Sequence, residues 1–141
     1  MPRISLIILN WDGAELIRDC LESVAAQDFT NFETIVVDNG STDGSADIVA
    51  REFPSVHLIR NSENTGFCRG NNIGIGAATG DLIVLLNNDA ELAPTFLSRV
   101  AYAADLEPEV GMFASAIIWC NSPASNISIM MSLPPTNSPL T

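Results

Sequence analysis

The sequence predicts an α/β fold, a mostly parallel sheet with helices on both faces. Three observations predict it. Short apolar runs rich in β-branched residues recur along the chain, as in strands buried on both faces of a sheet. Segments with helical spacing of apolar residues alternate with those runs. Polar clusters follow the runs at their carboxyl ends, where open parallel sheets bind ligands.

Taken in order, Ile4 to Leu9 is the first such run, ended by Asn10-Trp11-Asp12. Residues 13–27 change period: Leu16, Ile17, Cys20, Leu21 and Val24 recur on one helical side, with Glu15, Arg18, Asp19 and Glu22 opposite. Residues 32–38, "FETIVVD", form a second strand pattern, followed by the polar turn "NGSTDGS". Ile48, Val49 and Phe53 share a helical face over 46–53, stopped by Pro54. Asp43 is the capping candidate for that helix. "VHLIR" is a third strand, 65–78 a glycine-punctuated helix, and 82–86 a fourth strand. Pro94 sits where a helix starts, with Phe96, Leu97, Val100 and Ala104 as its apolar face. "VGMFASAIIW", 110–119, has the composition of a fifth strand.

A length of 141 residues suits one domain, enough for a core and too few for two. With 47% apolar and 16% charged residues the chain belongs with globular proteins, not disordered ones. A net charge of −11, with six arginines and no lysine, argues against nucleic acid as a partner. An acidic chain that handles an anionic ligand needs a metal ion or backbone N–H groups. Cys20, Cys68 and Cys120 are odd in number and not in ligand spacing, which reads as reduced structural thiols. His57, the only histidine, falls in a strand pattern near a surface, against a histidine triad or a zinc site. The first apolar run is short for a signal peptide, and no stretch approaches the roughly 18 apolar residues of a membrane span. The expectation is a cytoplasmic, soluble chain without a transmembrane segment.

The last part departs from this grammar. No charged residue follows Glu109, and half of the eight prolines lie from Pro123 onward. The expected division is a domain over 1–119 and an uncharged Pro/Ser/Asn-rich tail over 120–141. That tail is either disordered or unrelated to a domain cut short before it.

Three polar tips on one sheet edge, at Asn10-Trp11-Asp12, Asp38-Asn39-Gly40 and Asn87-Asn88-Asp89, make a site. Alone, Asn87-Asn88-Asp89 reads as a metal-ion site, a turn, or nothing chemical. A Walker A loop is excluded by the absence of lysine. The stretch from Gly74 to Gly80 imitates a dinucleotide fingerprint but precedes a strand instead of following one. A serine nucleophile elbow is absent. What remains suits a metal–nucleotide site.

Read together, "ISLIILNWDG", "FETIVVDNGSTDGS" and "NSENTGFCRGNNIGIGAATGDLIVLLNNDAEL" resemble the nucleotide-binding half of the inverting glycosyltransferases of family two. Their bacterial rhamnosyltransferase-like branch is the nearest likeness. The likeness covers about residues 4 to 118, with its motifs at the expected strand ends. It implies a GT-A-type, Rossmann-like fold, apparently truncated, and a UDP- or dTDP-sugar as donor, transferred with inversion at the anomeric carbon. The alternative is a nucleotide-sugar-binding fragment without turnover.

By this resemblance, the backbone at Leu9, Asn10 and Trp11 lies against base and ribose, and Asp38 accepts a hydrogen bond from the pyrimidine imide. A carboxylate suits that donor because it only accepts when ionised. As a turn residue Asp38 would instead hold "NGSTDG". Asn87-Asn88-Asp89 occupies the place of the family's Asp-x-Asp motif, which implies Mg²⁺ or Mn²⁺ with Asp89 as the leading ligand and Asn88 beside the donor. The motif's first aspartate is Asn87 here, one carboxylate fewer. Asn71 stands where the family often has arginine, with Arg69 a possible substitute. Gly66 lets the backbone approach the ligand, and Asn64 and Asn72 are further polar candidates. Asp81 faces the ribose or serves a turn.

The resemblance places the general base downstream, in an acceptor-binding half, and no acid follows Glu109. No catalytic residue is therefore assigned. A truncated or frame-shifted product would look like this. The implied acceptor is a saccharide or lipid-linked saccharide, in cell-surface polysaccharide biosynthesis, with the enzyme in the cytoplasm or peripheral to the inner membrane.

Overall fold

A computed structural model describes residue 1 and residues 3–113, 116–119 and 127–130. Its elements run β1 (Ile4–Asn10), α1 (Ile17–Ala25), β2 (Phe32–Asp38), α2 (Ser45–Glu52), β3 (His57–Arg60), α3 (Phe67–Ala77), β4 (Leu82–Asn87), β5 (Ala90–Leu92), α4 (Phe96–Leu106), β6 (Ala116–Trp119) and β7 (Ile127–Met130). The main sheet has the order β3-β2-β1-β4, with every pairing parallel. β1 is central because the chain crosses over through α1 and α2 to one side, then through α3 to the other. Its run ISLIILN is buried throughout except for the half-buried Leu9.

Register sets the site. Asn10 pairs with Asp38 and Leu9 with Asn87, so the three polar tips end level along one edge. The larger core joins Ile4, Leu6 and Ile8 of β1 to Ile17, Cys20, Leu21 and Val24 of α1, Val49 of α2 and Phe96 and Leu97 of α4. On the other face Ile7, Ile35 and Val37 meet Ile73 and Ala77 of α3. Here α3 lies close to the sheet, since a Cβ at Gly70 would run into Leu9 and one at Gly74 into Ile7.

β4 departs from the expectation of a strand covered on both sides. It is an edge strand of this sheet, and α3 lies over β1 and β2, so Ile83 and Leu85 remain exposed. The fifth strand also differs. Residues 116–119 form β6 in a separate sheet of order β5-β7-β6, where β6 and β7 are antiparallel and β5 and β7 parallel. The expected unstructured tail is a strand at Ile127–Met130, while its other residues, 120–126 and 131–141, lie outside the described residues. β5 carries no sequence signal, being three residues long between a polar tip and Pro94.

At the opposite end of the sheet a carboxylate ties three segments. The same Glu33 oxygen accepts from the Ser5 hydroxyl and from the backbone N–H and hydroxyl of Thr79. Desolvation pushes the Glu33 carboxyl up, but hydrogen bonds from Ser5, Thr79 and Gly80 outweigh it and hold the group below the usual carboxylate range. Its stabilisation is therefore present above the ordinary glutamate range and lost as pH falls through the lowered folded value. Glu33→Gln should cost about 1 kcal/mol at neutral pH, less than the roughly 1.5–3 kcal/mol of hydrogen bonds to a charged group because two of the three bonds are exposed to solvent. Urea unfolding at pH 7 and pH 3 checks this, with the gap between variant and parent closing at the lower pH.

Candidate functional site

A cleft of about 310 Å³ opens at the carboxyl edge, lined by Leu9, Trp11, Asn39, Asn64, Phe67, Asn87, Asn88 and Asp89. Its walls come from four elements: the end of β1, the turn after β2, the start of α3 and the tip of β4. Trp11 is 56% exposed and Phe67 65%, so two aromatic rings border the opening uncovered. Large rings left in water are unusual for a folded chain and suit a planar ligand.

The cleft rests on a buried amide. Asn10 Nδ2 donates to Asp38 Oδ1 at 3.0 Å and to the Ser45 hydroxyl at 2.8 Å. Asn10 Oδ1 accepts from Asn88 Nδ2 at 3.0 Å. The side chain of Asn10 thus joins the tips of β1, β2 and β4 to the start of α2. Gly13 is required above it, because a Cβ there would overlap Asn10 Oδ1 and Asn88 Nδ2. Ser41 closes the second tip, its N–H donating to Asp38 Oδ2 at 3.1 Å and its hydroxyl accepting from Asp12 N at 2.9 Å. Asp12 holds a left-handed backbone, φ 46°, and its carboxylate accepts from Thr42 N at 2.8 Å. Asp43 is not the cap of α2, which is Gly44 at φ 86°; it stands one residue before, accepting from Ser45 N and from Ala14 N.

A second amide network builds the opposite wall. Asn39 Oδ1 accepts from Thr65 N, the Thr65 hydroxyl and Asn61 Nδ2, and Asn39 Nδ2 donates to Asn64 Oδ1 at 2.9 Å. Gly66 N donates to Asn64 Oδ1 at 2.8 Å. Gly66 adopts φ 86° just before α3, which turns the chain so that Phe67 meets the cleft.

The structure thus brings together Leu9, Trp11, Asn64, Asn87, Asn88 and Asp89 of the residues singled out from sequence. Others serve beneath or elsewhere. Asn10 is buried, with its carbonyl accepting from Asn39 N at 2.7 Å, and it does not line the cleft. Asp38 is 3% exposed with both oxygens engaged, so it holds Asn10 and the turn. Asn71 is buried on α3 and donates to the Phe67 carbonyl at 3.0 Å, because its position faces the sheet. Arg69 and Asn72 are exposed on α3 away from the cleft lining. Asp81 precedes β4 and so stands at the amino end of the sheet, the wrong end for a ribose contact at this cleft. Asn39 was named within a polar tip but given no role, and Phe67 and Gly13 were not singled out. An aromatic after a turn glycine, and a glycine after the first polar tip, are signals that point to the last two.

The β4 tip offers hard oxygen donors: the Asp89 carboxylate and the amide oxygens of Asn87 and Asn88. Among the described residues no group of three His, Cys, Asp or Glu side chains is placed to hold a metal. That donor set does not suit zinc. It fits Mg²⁺ or Mn²⁺, which commonly use one or two carboxylates and fill the remaining positions with phosphate oxygens and water. Cys20 lies under this tip, with its Sγ donating to the Asn87 carbonyl at 3.6 Å. Burial, with the Asp89 and Glu91 carboxylates, pushes its thiol up to about 12, which keeps it protonated and unreactive. His57 is exposed on β3, and among the described residues no helix is long and apolar enough to cross a membrane.

Comparison with known proteins agrees with this geometry. Residues 5–131 match the family profile described as Glycosyl transferase family 2. The chain is 31% identical over 121 residues to the uncharacterized glycosyltransferase YibD of Escherichia coli, covering 84% of this chain and 35% of YibD. It is 34% identical over 106 residues to the succinoglycan biosynthesis protein ExoO of Rhizobium meliloti, covering 74% of this chain and 30% of ExoO. The fold superposes on S. aureus TarS 1-349 in complex with UDP-GlcNAc with a TM-score of 0.70, at 25% identity, over 83% of this chain and 33% of that one. On the mannosyltransferase PcManGT of Pyrobaculum calidifontis, in complex with GDP-Man and Mn²⁺, the TM-score is 0.61 at 26% identity, over 84% and 35%. The chain spans about a third of the length of the relatives it matches.

The Asn10–Asn88 contact under Gly13 yields a direct test. Gly13→Ala should destabilise the fold by about 2 kcal/mol, through overpacking and a broken buried hydrogen bond. In an Asn88→Ala background, where one of the two obstructing amides is gone and only the overlap on Asn10 Oδ1 remains, the cost measured by urea unfolding should shrink.

Proposed function

We propose that this chain, which belongs to glycosyl transferase family 2, is the donor-binding part of an enzyme that transfers a sugar from a UDP- or dTDP-sugar with inversion. The observation that carries the reading is the cleft itself. It places uncovered aromatic rings at one end and an oxygen-rich, single-carboxylate tip at the other, on the carboxyl edge of a parallel sheet. The base and ribose lie against Leu9 and Trp11, with Phe67 opposite. Asn64 has its Oδ1 committed to Gly66 N and Asn39, which leaves its Nδ2 free among the described residues to donate to a carbonyl of a uracil or thymine ring. The diphosphate lies toward Asp89, Asn88 and Asn87.

With a net charge of −11 the chain supplies little positive charge of its own to a diphosphate. A divalent cation held at Asp89 would supply it and would stabilise charge on the departing diphosphate. The ligands named for TarS and PcManGT, UDP-GlcNAc and GDP-Man with Mn²⁺, support a nucleotide sugar and a divalent ion at this edge. The name of ExoO supports a place in polysaccharide synthesis, and the acceptor in this reading is a saccharide or lipid-linked saccharide.

A second reading, binding without turnover, is favoured by one observation. The tail after Glu109 contains no carboxylate to deprotonate an acceptor hydroxyl. General-base assistance is worth about 10²–10⁴ in rate, and residues 110–141 supply none of it.

Calorimetric titration with UDP and dTDP, with and without Mn²⁺, tests the site. The metal should tighten binding at least tenfold, roughly 1.4 kcal/mol. Asp89→Ala should remove that gain, and Asn87→Asp should enlarge it by restoring a second carboxylate. Equal affinity with and without metal in the parent chain would refute the reading.

A further inference from the structure

We propose that Asp38 is a positioning residue for the cation, acting through Asn10 to aim the Asn88 side-chain oxygen into the cleft beside Asp89. The inference rests on the proposed function only in expecting a cation at the β4 tip. An amide side chain has one donor end and one acceptor end of nearly the same shape, and its hydrogen-bond partners decide which way it points. Asn10 is buried, so the choice is enforced in a low-dielectric interior where a mispaired amide is costly.

The sequence of choices has one direction. The Asp38 carboxylate takes the Ser41 backbone N–H on Oδ2 and presents Oδ1, an acceptor, to Asn10. Asn10 must therefore turn Nδ2 toward Asp38, which leaves Oδ1 facing Asn88. Asn88 must answer with Nδ2, so its own oxygen points away from Asn10, at the half-buried edge of the cleft that Asp89 shares. Ser45 and Ser41 do not set the direction, because a hydroxyl both donates and accepts. Glycine at 13 leaves room for the Asn10–Asn88 contact, which a Cβ there would overlap.

Hard cations bind amide oxygens and not amide nitrogens. The relay thus supplies an oxygen ligand next to the single carboxylate of Asn87-Asn88-Asp89, at the residue between the outer two. It also gives a role to a buried acid that makes no contact with the cleft.

Exchange of the two end residues tests the relay. Mn²⁺ affinity, read by electron paramagnetic resonance with the metal alone, should fall at least fivefold in Asp38→Asn, where Asn10 is free to reverse. Asn88→Asp in the Asp38→Asn background should restore it, because a carboxylate offers oxygen in either orientation and a reversed Asn10 donates to it. Failure of that rescue, or an unchanged affinity in Asp38→Asn, overturns the relay. Loss of metal-free UDP binding in Asp38→Asn without rescue would instead mark Asp38 as a direct base contact.

Should the variants not fold, ¹³C detection in the parent chain decides. Titrated Mg²⁺ should move the side-chain carbonyl signals of both Asn88 and Asp89. Movement of Asp89 alone, or of neither, overturns the proposal. Mg²⁺ shifts at both residues without any UDP or dTDP binding would sink the proposed function and leave the relay standing.

Discussion

The bond from the Asn10 amide to the Asp38 carboxylate holds the carboxyl edge of the sheet together, and the cleft depends on it. Strands β1 and β2 would end side by side without it, since their backbone ladder already pairs Asn10 with Asp38. What the side-chain bond adds is direction across the strands. Through the other end of the same amide, Asn88 and with it the β4 tip are fixed to the first two tips. Through the Ser45 hydroxyl the start of α2 is fixed as well. A polar network so deeply buried stabilises only when each member is satisfied, and these members satisfy one another.

The apolar core explains why that network can be buried at all. α1, α2 and α4 cover one face of the sheet and α3 the other, so the centre of the edge is closed to water from both sides. The cleft opens at the strand ends, from the paired Leu9 and Asn87 outward. Its two ends differ in chemistry because they are built by different elements. The aromatic rings come from the end of β1 and the start of α3, while the carboxylate, with the Asn87 and Asn88 amides, comes from the tip of β4. A nucleotide diphosphate has the same polarity along its length, a flat ring at one end and anionic oxygens at the other.

Much of this was legible in the sequence because it depends on local pattern. The β-branched run Ile4 to Leu9, the helical spacing of Ile17, Cys20, Leu21 and Val24, and the polar tips each reveal themselves within a few residues. The Asn87-Asn88-Asp89 tip and Trp11 were found in the cleft for that reason. The turn role of Asp38 was legible as an alternative, but its tie to Asn10, and the tasks of Asn10 and Asn71, were not. Whether a polar side chain at a strand end faces ligand or faces its neighbours depends on pairings across the sheet, and Asn10 and Asp38 are 28 residues apart. The exposed side of β4 was hidden for a related reason. An apolar strand reads the same at a sheet's edge as at its centre, and only the strand order distinguishes them. β5 was too short to show a period.

Side-chain amide hydrogen exchange, followed by nuclear magnetic resonance, tests the central tie most directly. The two Asn10 Nδ2 protons, held by Asp38 and Ser45, should exchange only when the sheet edge opens, far more slowly than the side-chain amide of exposed Asn87. Exchange of Asn10 as fast as that of Asn87 would mean that the buried amide is not bonded as described, and that the three tips are not joined through it.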